Sequence, residues 1–201
     1  MNTIPNWISL TRILFSPLLL WLGWTDRGTP FLAVLALLLL TDFLDGYLAR
    51  KLNQESKLGV QLDTTGDVLI SFQGLLGGWW LWPERMANEA PFFFVALGFL
   101  AISGLAALIK YRHLPSYHTH SAKLATFLVG VGIWIFFAGM TPWLLRIALL
   151  VLIYSAIEEL VITLSFAKWH PNIPTALHAL RLRRKRLGAA EASAKSVGGE
   201  G

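Results

Sequence analysis

The chain has 201 residues, 55% of them hydrophobic and only 14% charged, with a mean hydropathy of +0.56, too apolar for a water-soluble domain of this size. A net charge of +5 would suggest nucleic acid in a soluble protein. Here much of the excess sits in one run, Arg181, Arg183, Arg184, Lys185 and Arg186, which suits the anionic headgroups of membrane lipids and gives no reason to invoke nucleic acid. The chain contains no cysteine, which excludes disulfides and thiolate metal sites, so any metal must use oxygen or imidazole.

Apolar runs long enough to cross a hydrocarbon core fall at 8–24, 31–49, 59–82, 91–109, 124–140 and 143–166. They predict an all-α fold, an integral membrane bundle of six transmembrane helices. Between them stand Asp26-Arg27-Gly28 with Pro30, then Pro83, Pro115 and Pro142, the residues that end helices. The first run has neither a basic leader nor a clear small-residue cleavage site, so it is expected to stay as a span. Basic residues gather in alternate connections: Arg50, Lys51 and Lys57, then Lys110, Arg112 and Lys123, then the tail. The positive-inside rule therefore predicts both termini, and the 50–59 connection, in the cytoplasm. Glu158 and Glu159 lie inside the sixth run, where a carboxylate is expected to be protonated or paired. Trp79, Trp80, Trp82 and Trp143 read as interfacial belts. A membrane domain over 1–170 is expected to precede a basic, partly disordered tail over 171–201.

The second and third runs carry Asp42-x-x-Asp45-Gly46-x-x-Ala49-Arg50 and, eight residues on, Gly59-x-x-x-Asp63-x-x-x-Asp67. Helical positions three, four and seven apart share a face, so each half of the pattern lines up on its own helix. Four carboxylates brought together repel unless a counter-charge joins them, and hard oxygen ligands of this kind suit divalent cations such as Mg²⁺ or Mn²⁺. Gly46 and Gly59 leave room for a nucleobase or phosphate against the backbone, or for close helix packing. Arg50 suits phosphate oxygens and equally an interfacial anchor.

This pattern resembles the signature D-x-x-D-G-x-x-A-R-x8-G-x-x-x-D-x-x-x-D of the CDP-alcohol phosphatidyltransferase family, with every specified position matched. The resemblance implies transfer of a phosphatidyl group from CDP-diacylglycerol to an alcohol with release of CMP, by a homodimer in a bacterial inner membrane. It makes Asp42, Asp45 and Asp63 the core ligands of two divalent cations. Asp67 would contribute to the metal site and act as general base. Gly46, Ala49, Arg50 and Gly59 would surround the CDP-lipid.

Upstream, Pro5-Asn6-x-x-Ser9-x-Thr11-Arg12 resembles the P-N-x-x-T/S-x-x-R opening of the family's phosphatidylglycerophosphate and cardiolipin synthases. That places Asn6 near the nucleotide and Arg12 near nucleotide or acceptor. Helix capping by Asn6 and snorkelling by Arg12 are the plain alternatives. The leading acceptor is sn-glycerol 3-phosphate, its phosphate met by Lys110, Arg112 and Lys123, with Arg12 a fourth donor. His113, His118 and His120 lie in the same basic stretch. One departure stands out: Asp63-Thr64-Thr65-Gly66-Asp67-Val68 lacks the proline and lysine of the D-P-x-A-D-K form common in phosphatidylglycerophosphate synthases. Inositol phosphate, phosphatidylglycerol and serine therefore stay open as acceptors. A small ion channel or transporter is the rival from another class, but conduction carboxylates spread across depth or form symmetric rings, while these share a face with glycines.

Overall fold

In the computed structural model, which describes residues 4–52, 57–112, 119–166 and 175, the first apolar run is two helices, α1 (Ile4–Phe15) and α2 (Pro17–Trp24). Pro17 has no N–H to offer the carbonyl of Ile13. The Ser16 hydroxyl donates to that carbonyl instead, at 3.0 Å, and Leu19 N donates to Ser16 O at 3.0 Å to restart the ladder. The remaining helices are α3 (Gly28–Lys51), α4 (Lys57–Leu81), α5 (Pro83–Tyr111), α6 (His120–Phe137) and α7 (Trp143–Ser165). The described residues contain no strand, in agreement with the all-α expectation. The fourth run, expected from 91, begins eight residues earlier because Pro83 opens α5 with Glu84 in its first turn, both favourable at a helix N-terminus. Pro91 then lies inside α5.

Among the described residues, four stretches are long and apolar enough to cross a bilayer: Asn6–Trp24, Pro83–Tyr111, His120–Phe137 and Trp143–Ser165. The protein is an integral membrane protein. In α3 the apolar stretch among the described residues is Gly28–Leu44, and α4 carries Asp63 and Asp67 within its 25 residues.

The helices group into two compact units, Met1–Ala90 with Ile133–Thr141, and Pro91–Gly132 with Pro142–Gly201. In the first, α1 and α2 each pack against α3 and α4. A Cβ on Gly23 would lie 2.7 Å from Gly77 Cα, and one on Gly77 would lie 2.7 Å from the Phe31 ring, so α2 and α4 meet backbone to backbone. Phe31, Trp82 and Phe137 pack with ring centroids 5.2–5.9 Å apart. The Trp134 indole donates to Leu32 O at 2.9 Å. Helix α1 is turned inside out relative to a soluble helix: Asn6, Ser9, Arg12 and Ser16 are buried while Trp7, Leu14 and Phe15 are exposed. In a bilayer the apolar face meets lipid and the polar face meets the other helices.

In the second unit the Thr119 hydroxyl accepts from Ala122 N at 3.2 Å and caps α6. The Ser121 hydroxyl donates to Glu158 Oε2, giving this buried side chain a hydrogen-bond partner on α6. Lys110 Nζ donates to Thr163 O at 2.8 Å and Leu164 O at 3.3 Å. The Tyr111 hydroxyl donates to Thr163 O and Phe166 O, and these donors satisfy the last carbonyls of α7. The Arg146 guanidinium stands over Phe92 and Trp143, at 4.9 and 5.0 Å. His113, Tyr117, His118 and the tail from 171, Thr175 apart, lie outside the described residues.

The α2–α4 contact gives a direct test. Gly23→Val should lower stability in detergent by about 1–3 kcal/mol, the usual cost of overpacking. Gly98→Ala, where a Cβ meets nothing within 4 Å, should leave the thermal midpoint unchanged or raised. Equal midpoints for the two variants would contradict the close crossing.

Candidate functional site

Helix α3 carries Asp42 near its C-terminal end, and α4 carries Asp63 and Asp67 on one face near its start. One carboxylate oxygen from each of Asp42, Asp63 and Asp67 lies within 4.8 Å of the others. The two halves of the sequence pattern are therefore brought together across helices. Residues 45–50 are helical, but the side chains of Asp45, Ala49 and Arg50, and the surroundings of Gly46, lie outside the described part of the structure. Gly59 is half-buried in the first turn of α4.

A fourth side chain completes the cluster from α1. Arg12 is 1% exposed. Its Nη1 pairs with Asp42 and lies 3.5 Å from Asp67 Oδ1, while Nη2 donates to Asp63 Oδ1 at 2.9 Å. The carboxylates themselves are open, with Asp42, Asp63 and Asp67 side chains 32%, 46% and 45% exposed. The cluster thus has a cationic floor and an acidic rim. Gly66 faces this floor: a Cβ there would lie 3.5 Å from Arg12 Nη2 and 3.6 Å from Ile13. That is ordinary contact, so the alanine of the D-P-x-A-D-K form would fit here too. Val68, where that form has lysine, is exposed.

Three carboxylates against one guanidinium leave two negative charges among these four side chains. A buried guanidinium keeps its charge and needs such partners. The residual charge, the all-oxygen donor set and the open rim fit a hard divalent cation of the Mg²⁺ or Mn²⁺ class. The hydroxyls nearby offer less, since Thr41 donates to Leu37 O and Leu38 O and Thr65 to Gln61 O within their own helices.

The remaining expected residues separate into two groups. Asn6 is buried on the same face of α1 as Arg12. Lys110, Arg112 and Lys123 belong to the second unit. Lys110 is engaged with α7 carbonyls as above, Lys123 is exposed in the first turn of α6, and Arg112 is exposed with φ 58°, ending α5 in the left-handed region. Arg12, grouped with those cations on sequence grounds, sits instead among the aspartates. The signal for this was present: Asn6, Ser9, Arg12 and Ser16 are spaced three, three and four apart, one polar stripe along α1 and into its joint with α2, on a largely apolar segment.

The profile of the CDP-alcohol phosphatidyltransferase family matches residues 2–164. The chain is 33% identical over 130 residues to a CDP-diacylglycerol--glycerol-3-phosphate 3-phosphatidyltransferase of Aquifex aeolicus, covering 65% of this chain and 72% of that protein. It is 41% identical over 131 residues to a cardiolipin synthase (CMP-forming) of Streptomyces coelicolor, 62% of this chain and 60% of that one. A Pseudomonas fluorescens protein with the same name as the Aquifex one is 39% identical over 70 residues, 33% of this chain and 36% of that protein. No solved structure matches at a significant level. A profile match over most of the chain, on a helical membrane protein whose signature aspartates converge, establishes that the chain belongs to the CDP-alcohol phosphatidyltransferase family.

Proposed function

We propose that this enzyme moves the phosphatidyl group of CDP-diacylglycerol onto an alcohol, foremost sn-glycerol 3-phosphate, and releases CMP. The observation that carries the reading is the convergence of Asp42, Asp63 and Asp67 in the family register, open on one side above a buried Arg12. The names of the Aquifex and Pseudomonas relatives support glycerol 3-phosphate as acceptor, and that of the Streptomyces relative supports release of CMP.

In this reading Asp42, Asp45, Asp63 and Asp67 would hold two divalent cations, which would supply charge neutralisation of the diphosphate and polarisation of the attacked phosphorus. Asp67 also accepts the proton of the acceptor hydroxyl. That oxygen bonds to the phosphatidyl phosphorus as the phosphoanhydride bond breaks, and CMP leaves with the bonding electrons. Asn6, Gly46, Ala49, Arg50 and Gly59 surround the CDP-lipid, the glycines leaving space at the backbone. The acceptor-phosphate role of Arg112 and Lys123 rests on their charge and exposure, with Lys110 shared with the end of α7. Helices α3 and α4 complete six crossings, with both termini and the aspartates at the cytoplasmic face of the inner membrane.

Asp63→Asn should lower kcat for CMP release by at least about 100-fold while the thermal midpoint stays close to wild type, since the isostere removes charge with little change of shape. Near-normal turnover would overturn the metal reading. Asp67→Asn should keep CDP-lipid binding better than turnover, and equal loss of both would make Asp67 a ligand only.

The acceptor is tested by CMP release with a panel of alcohols. Glycerol 3-phosphate should react best, and Arg112→Gln or Lys123→Gln should raise its KM roughly ten-fold while changing KM for the CDP-lipid much less. Faster reaction of free glycerol, serine or inositol, with Arg112 and Lys123 dispensable, would contradict the assignment.

Because the chain lacks cysteine, single cysteines report topology cleanly. Met140→Cys should react with an impermeant reagent on intact cells and Lys51→Cys should not. The reverse pattern would invert the proposed orientation.

A further inference from the structure

We infer that Arg12 is the protein's own counter-cation for the aspartate cluster, competing with the divalent ion for the same three carboxylates. The inference rests on the metal reading above and deepens it. Arg12 comes from α1, while its three acidic partners stand on α3 and α4. One side chain therefore ties together the three helices that build the site. At 1% exposure it does not reach water, which removes the snorkelling alternative, and it has little surface left for a substrate phosphate.

The geometry of the contacts sets the sign of the coupling. Arg12 takes the Oδ1 oxygen of Asp42, Asp63 and Asp67, oxygens of the carboxylates that form the candidate donor set. An ion entering from the open rim draws on the charge of the same three carboxylates and repels the guanidinium beneath, so each cation weakens the hold of the other on the cluster. Arg12 would thereby keep three mutually repelling carboxylates converged before an ion arrives, and hold ion affinity below that of the bare carboxylates. It is a positioning residue, acting through the aspartates.

The test uses the full chain in detergent, with Mn²⁺ as the probe, comparing wild type, Arg12→Gln and Arg12→Lys. Free Mn²⁺ is followed by its paramagnetic resonance signal, and thermal midpoints are taken in chelator and in Mn²⁺. Arg12→Gln should unfold at lower temperature than wild type in chelator and recover most of that loss in Mn²⁺, with Mn²⁺ Kd tightened roughly ten-fold, as linkage requires. Arg12→Lys, which restores the charge without the fork, should fall between. An equal loss of midpoint with and without Mn²⁺ would leave Arg12 a packing role only, and weaker Mn²⁺ binding would make it an aid to ligation; either result overturns the inference. Should Arg12→Gln fail to fold, the Mn²⁺ Kd of Arg12→Lys decides, an unchanged or weaker value counting against competition. Wild type that binds no Mn²⁺ would defeat the metal reading itself, whereas wild-type binding with Kd unchanged in the variants defeats this inference alone.

Discussion

A guanidinium buried within a few ångströms of three carboxylates is the constraint on which the first unit of this molecule turns. Removing a guanidinium from water without partners would cost several kcal/mol. The place of Arg12 on α1 therefore commits α1, α3 and α4 to one arrangement. The inverted polarity of α1 follows, with Asn6, Ser9, Arg12 and Ser16 turned inward and Trp7, Leu14 and Phe15 turned outward. Pro17 closes that polar helix directly after the stripe, and Ser16 satisfies the carbonyl the proline leaves behind. Farther along the same helices, the Gly23–Gly77 contact and the Phe31, Trp82 and Phe137 rings hold α4 against its neighbours. Apolar packing in one part of the unit thus stabilises electrostatic order in another.

The asymmetry of exposure explains why this ion cluster suits binding rather than stability alone. A sealed salt bridge would bury both signs of charge. Here only the positive partner is sealed, while the acidic rim stays accessible and carries an excess of negative charge. Such a rim attracts cations and, through them, phosphates that it would otherwise repel. In the proposed mechanism a diphosphate substrate would approach these carboxylates only with cations between.

Much of this was legible in the sequence because helical register is simple arithmetic. Asp63 and Asp67, four apart, had to share a face, and Asp42 joined them once α3 and α4 paired. The helical runs were legible for the same reason, through their hydropathy and their prolines. Three features were not. The start of α5 at Pro83 was hidden because proline both ends one helix and begins another. The joint at Pro17 was hidden because hydropathy runs through it unbroken. The partners of Arg12 depended on which way α1 faces, and an arginine one residue from an exposed threonine on an apolar helix reads equally as a snorkelling anchor. Only the three-three-four spacing of its polar neighbours argued for burial. Glu158 shows the same limit: its cost in a bilayer was evident, but its partner, Ser121, lies 37 residues away on another helix.

The central claim is that Asp42, Asp63 and Asp67 form a divalent-cation site above Arg12. Anomalous diffraction from crystals loaded with Mn²⁺ tests it most directly. The account predicts an anomalous peak at the rim, with oxygens of these three carboxylates at roughly 2 Å, the distance of a hard-ion ligand. A peak at the histidines between α5 and α6, or none at the aspartates under saturating Mn²⁺, would contradict it.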